Sequence, residues 1–222
     1  MRAVITIAAI LCALDIILML DLAKLNELFL ILQIMCVESH PFEPFLPEGA
    51  GILFLGSFPP QPKRWSMPFY YPNWLNDFWR VMGLIFYGDR DHFVVPGRKR
   101  FDQELIEAFC REHGFALYDT ASEVRRLKDN ASDKYLEVVK PTDIPALLAR
   151  IPSCRTIVTT GQKATGVIVS TFGCPEPPVG GHVEITVPRT MDFWRMPSTS
   201  RAYPLPLEKK AAVYRLLFNN RP

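Results

Sequence analysis

Two segments far apart in the chain carry the side chains best suited to chemistry. The first is Gly56-Ser57-Phe58-Pro59-Pro60, followed by Phe69-Tyr70-Tyr71 and by Asn76-Asp77-Phe78-Trp79. The second is Met196-Pro197-Ser198-Thr199-Ser200-Arg201-Ala202-Tyr203. Each follows a run that reads as a strand, and each joins rigid prolines to small hydroxyls and aromatics. Other chemistries are missing. His40, His92, His113 and His182 are scattered, with no HExxH or other paired spacing. Cys12, Cys36, Cys110, Cys154 and Cys174 include no CxxC. No GxGxxG, P-loop or GxSxG occurs, so neither a metal nor a nucleotide cofactor is expected.

The elements that must position these residues follow from apolar patterning. Gly51 to Leu55 is a short apolar run closed by Gly56, suited to a buried parallel strand. Leu75 to Met82 reads as a helix, with Phe78, Trp79 and Met82 on one face. Asp102 to His113 is an amphipathic helix stopped by Gly114, and Phe115 to Tyr118 is a strand ending at Asp119. Glu123 to Lys140 is polar, carries Arg125, Arg126, Lys128, Lys134 and Lys140, and reads as a surface excursion. A short helix over Asp143 to Ala149, a strand over Thr156 to Thr160 and a helix over Gln162 to Ser170 come next. Val183 to Val187 and Met191 to Met196 read as strands, and Leu207 to Phe218 as a closing helix. Strands alternating with helices imply a three-layer α/β/α fold around a mainly parallel, four-stranded sheet. Ligands of such sheets bind beyond the carboxyl ends of the strands. Here those ends are Gly56, Asp119, Gly161 and Met196.

The totals set the frame. A chain of 222 residues, 49% hydrophobic and 22% charged, can bury a full core. The net charge of +2 neither requires nor excludes nucleic acid, because a local basic groove does not need a basic total. Unpaired, scattered cysteines fit reduced thiols in a cytoplasm. Residues 1–36 do not match the rest. Ala3 to Leu20 is apolar apart from Asp15, and the apolar residues of Leu25 to Ile34 keep near-helical spacing. A signal peptide lacks a convincing cleavage site. A membrane anchor would place Asp15 mid-span, at a cost of roughly 2.5–3.5 kcal/mol. The reading favoured is an extension outside the working protein, produced by a start assigned upstream of Met35, with no stable membrane association. One domain over 37–222 is expected, as a monomer.

Four motifs in order carry a resemblance: Gly56-Ser57-Phe58-Pro59, Phe69-Tyr70-Tyr71, Asn76-Asp77-Phe78-Trp79 and Pro197-Ser198-Thr199-Ser200. The region from Val37 to Phe218 resembles the uracil-DNA glycosylase superfamily, and within it the hypoxanthine-DNA (deoxyinosine) glycosylase branch. The resemblance implies a uracil-DNA glycosylase-like domain that acts on DNA containing deaminated bases and needs no cofactor. Many superfamily members place Asp or Asn in the first loop to hold the attacking water. Phe58 stands there, and the branch's expected substitute is Asn76. Met196 stands where relatives often show His or Asn, and Thr160 where they often show Asn.

The chemistry so implied is hydrolysis of an N-glycosidic bond on a flipped nucleotide. Ser57, Phe58 and Asn76 are the catalytic candidates: Asn76 orients water, while first-loop N–H donors hold charge on the leaving base. Phe69, Tyr70, Tyr71, Asp119 and Thr160 are the base-binding candidates. Ser198, Thr199, Ser200 and Arg201 would meet phosphates, and Tyr203 or Leu205 would fill the gap in the base stack. Each has a plainer alternative. The aromatics could pack the core, Asn76 could cap a helix, Asp119 could cap a turn, and the Ser/Thr run could be a hydroxyl turn. The Arg125/Arg126/Lys128 run is a DNA contact or a solvated face. Two further functional readings stay open: a nucleic-acid-binding module of the same fold without the chemistry, and a hydrolase of free nucleosides or nucleotides.

Overall fold

The computed structural model describes residues 22, 24–27, 37–127, 135–186 and 188–219. Residues 22 and 24–27 are helical and exposed. The other expectations for residues 1–36, with those for Lys128 and Lys134, lie outside the described residues.

A five-stranded sheet forms the centre. It contains β2 (Ile52–Gly56), β3 (Phe115–Asp119), β6 (Thr156–Thr159), β7 (Gly181–Ile185) and β8 (Met191–Arg195), in the order β3-β2-β6-β8-β7. The first four in that order run parallel, as expected, and β7 adds an antiparallel edge beside β8. β7 needs no crossover because a short turn connects it to β8, so it can only pair antiparallel.

Side-chain alternation along β2 assigns the helices to faces. Ile52 and Phe54 point into one core, with α1 (Phe78–Phe86), α2 (Gln103–Glu112) and α5 (Leu207–Asn219). Leu53 and Leu55 point into the other, with α3 (Ile144–Ala149) and α4 (Gln162–Phe172). All four are fully buried, which is why β2 reads as a continuous apolar run. Truncating Phe54 to alanine would cost about 3–5 kcal/mol. Cys110 and Cys154 are buried and Cys174 is half-buried, all three unpaired.

The sheet expected with four strands has five, because β7 pairs on the edge of β8, and two further expectations change. The helix read from Leu75 starts at Phe78, because residues 73–76 form a turn. In that turn Asn73 Oδ1 accepts from Leu75 N and Asn73 O accepts from Asn76 N. The polar stretch read as a surface excursion contains β4 (Ala121–Arg126) and β5 (Leu136–Pro141), which form an antiparallel sheet with β1 (Val37–Ser39). Its inner residues Val124 and Leu136 pack with Phe58 and Ala121. Its charges pair across strands, Arg125 with Glu137 at 3.0 Å and Arg126 with Glu38 at 2.9 Å. Arg126 also donates to the Pro59 carbonyl and lies over the Phe58 ring. The small sheet therefore braces the first loop, and Arg126 is bound into that brace.

Candidate functional site

The carboxyl ends of the parallel strands open into a cleft of about 680 Å³. Gly56 ends β2 and Asp119 ends β3, directly paired in register. Thr160 follows β6, and the segment from Met196 follows β8. Of the residues singled out in the sequence, Ser57, Phe58, Tyr71, Asn76, Asp119 and Thr160 line this cleft together with Ser198, Thr199, Ser200, Arg201 and Tyr203. Three do not. Phe69 and Tyr70 are in the core; the Tyr70 hydroxyl donates to the Glu43 carbonyl and its carbonyl accepts from the Trp79 indole. Leu205 is half-buried and absent from the cleft wall.

Tyr71 is the aromatic wall. Its ring stacks on Phe78 at 3.8 Å, and its hydroxyl shares a hydrogen bond with Thr160 Oγ1 at 3.1 Å. Burial pushes that hydroxyl's pKa well above the ordinary tyrosine value, with the Thr160 bond opposing, so it stays protonated. Its φ of +51° is a left-handed conformation that costs a bulky residue of order 1–3 kcal/mol and persists only where the surroundings enforce it. Here the stack and the hydroxyl bond enforce it.

Asn76 keeps its cleft reading but not its cap reading, because the N-cap of α1 is Asp77, whose carbonyl accepts from Val81 N. It lines the cleft, and its Oδ1 accepts from Phe78 N at 2.9 Å, at the start of α1. An amide oxygen has a second lone pair, so one water can still be held there. Beside it, Asp77 forms a buried ion pair with Lys210 at 2.8 Å. Lys210 also donates to the Ser200 carbonyl at 2.8 Å, Asp77 N donates to the Thr199 carbonyl, and Tyr214 donates to the Pro197 carbonyl at 3.0 Å. Two side chains and one backbone N–H thus fasten the second loop to α5 and to the start of α1. Within the loop, Ser198 Oγ accepts from Ser200 N and Ser200 Oγ from Ala202 N, so the hydroxyl-turn reading holds; both hydroxyls still have a proton to donate. Met196 is in the core beneath, 1% exposed. Arg64 and Arg201 are exposed on the rim.

One residue of the site escaped the sequence reading. His40, buried beyond the cleft wall, bonds through Nε2 to Asp119 Oδ2 at 2.9 Å. Nothing local marks the pairing, since the two are 79 positions apart. Gly56 explains itself at the same point. Any Cβ there would collide with Asp119 Oδ1, so the missing side chain is what admits the carboxylate.

No family model and no curated protein matches the chain. Among solved structures, the chain is similar to the solution NMR structure of a "putative Uracil DNA glycosylase" from Methanosarcina acetivorans. The match has a TM-score of 0.55 and 21% identity, over 82% of this chain and 99% of the other. The fold is uracil-DNA glycosylase-like. On this uracil-DNA glycosylase-like scaffold the cleft is where a ligand of a parallel sheet belongs, beyond the strand ends. Among the described residues, no group of three or more His, Cys, Asp or Glu could hold a metal ion, and no helix is long and apolar enough to cross a membrane.

Proposed function

We propose that the chain is a monofunctional DNA glycosylase that hydrolyses the N-glycosidic bond of a deaminated base, uracil or hypoxanthine, flipped out of DNA. The observation that carries this reading is the single cleft uniting the first loop, Tyr71, Asn76, Asp119, Thr160 and the second loop. Its volume suits one nucleoside-sized ligand. The base enters against Tyr71, whose stacking is worth about 1–3 kcal/mol. Asn76 orients water toward the sugar carbon as the glycosidic bond breaks. Positive charge develops on the sugar, and the departing base takes the electron pair. Backbone N–H groups of the first loop stabilise that negative charge. Ser198, Ser200, Arg64 and Arg201 meet the flanking phosphates, which positions the strand without reading its sequence.

The test is base release from matched oligonucleotides carrying uracil, hypoxanthine, xanthine or a thymine mismatch. The intact chain should release uracil or hypoxanthine and leave abasic sites. Asn76→Ala should lower the rate roughly a hundredfold. The loss of its bond to Phe78 N, about 1 kcal/mol, is followed separately by melting. Absence of abasic sites with every substrate would sink the proposal. The binding-module reading draws on Phe58 and Met196, buried apolar side chains, the first in the cleft wall and the second in the core. It predicts salt-sensitive DNA binding with no release.

A further inference from the structure

His40 and Asp119 form a buried pair whose proton arrangement bears on what the cleft can recognise. The His40 ring is enclosed by aromatics, with Tyr118 at 4.6 Å and Phe58 edge-on at 5.3 Å. Its Nε2 meets Asp119 Oδ2 at 2.9 Å. Its Nδ1 lies 2.8 Å from the Phe42 carbonyl and 3.1 Å from the Phe42 nitrogen. Three proton arrangements satisfy these neighbours and leave Asp119 Oδ1 free to accept, whereas a proton on Oδ1 with Nε2 donating to Oδ2 would not. An imidazolium donates from Nδ1 to the Phe42 carbonyl and from Nε2 to a carboxylate. A neutral ring protonated at Nε2 accepts the Phe42 N–H and still donates to the carboxylate. A neutral ring protonated at Nδ1 accepts at Nε2 from a protonated Oδ2. In all three, Asp119 Oδ1 carries no proton. That oxygen lies over Gly56, whose bare Cα leaves it room beside the Tyr71 ring.

We propose that His40 is a positioning residue that keeps Asp119 Oδ1 a pure hydrogen-bond acceptor toward the cleft, so that the bound base is read by its ring N–H. This rests on the base-binding reading of the cleft given above and names the feature recognised. Deamination makes that feature. Cytosine N3 and adenine N1 are acceptors, whereas uracil N3 and hypoxanthine N1 carry a hydrogen. An oxygen held as an acceptor rewards the deaminated ring and opposes the lone pair of the ordinary one. One contact then serves both a pyrimidine and a purine product.

The decisive measurement needs no catalysis. NMR titrations would follow free uracil, hypoxanthine, 3-methyluracil, 1-methylhypoxanthine, cytosine and adenine binding to the full chain. The expected result is binding of uracil and hypoxanthine at least about tenfold tighter than their N-methyl forms and than cytosine and adenine. His40→Leu, which keeps bulk but donates nothing, should shrink that ratio. His40→Gln, whose amide can donate to Oδ2, should restore it. Asp119→Ala should bind methylated and unmethylated bases alike, which separates the lost hydrogen bond from methyl bulk. Equal binding of the methylated bases, of cytosine and adenine, or of no base at all by the intact chain overturns the proposal. So does a ratio unchanged in His40→Leu. Should His40→Leu not fold, the base panel on the intact chain and His40→Gln still decide. Selective base binding without release from any oligonucleotide would instead retire the glycosylase reading and leave His40 in its role.

Discussion

Asp77 and Asp119 are each 7% exposed, Asp119 in the cleft wall and Asp77 next to the cleft residue Asn76, but they hold different partners. Asp77 faces Lys210, itself 1% exposed, and that ammonium is shared with a loop carbonyl. Asp119 faces a histidine through one oxygen and lays the other over Gly56, both residues being in the cleft wall. A fixed cation on a buried carboxylate makes a fastening, because two of the ammonium's three donors are committed to protein. A histidine on a carboxylate at the cleft edge leaves an acceptor available to a ligand. Burial alone does not separate a structural charge from a functional one; the direction of the remaining lone pairs does.

The comparison can be broken by substitution, with stability as the first readout. Lys210→Met should be the most damaging change, about 3–5 kcal/mol by chemical denaturation, since it strands a buried carboxylate. Adding Asp77→Leu to that variant should recover most of the loss, because a well-packed apolar pair can replace a buried ion pair. His40→Leu should cost less, about 1–2 kcal/mol, because Asp119 still reaches the cleft. A cost equal to that of Lys210→Met would mean that the two aspartates are alike. Gly56→Ala should cost about 1 kcal/mol by thermal melting while displacing the Asp119 carboxylate, so ligand binding should suffer more than stability. Arg111→Ala, which removes the exposed i,i+4 partner of Glu107 at 2.7 Å, should change stability by only about 0.3–0.5 kcal/mol.

The central sheet was readable because β2, β3, β6 and β8 are apolar runs bounded by glycine or polar ends, and burial on both faces makes such runs continuous. The small sheet was not. Val124, Leu136 and Val138 alternate with charges, and the arginines look solvated until Glu38 and Glu137 are brought across from other strands. The same limit applies at the site. Gly56, Ser57, Tyr71, Asn76 and the second loop sit in compact motifs, so they could be found. His40 depends on a partner 79 positions away, and an isolated histidine carries no local signal of that partner. Phe69 and Tyr70 shared a motif with Tyr71, yet only Tyr71 turns into the cleft, through a φ that residue type does not announce. Leu205 was placed by analogy with a wedge, and chain spacing cannot say which side of a loop faces the opening.

The fastening of the second loop also has a kinetic meaning. A segment held by Lys210, Asp77 and Tyr214 loses its conformational freedom during folding and has little left to lose when a ligand arrives. Association with the cleft is then governed by diffusion and orientation rather than by waiting for a closed state. A lysine with almost no surface thereby bears on how fast the cleft can capture a ligand.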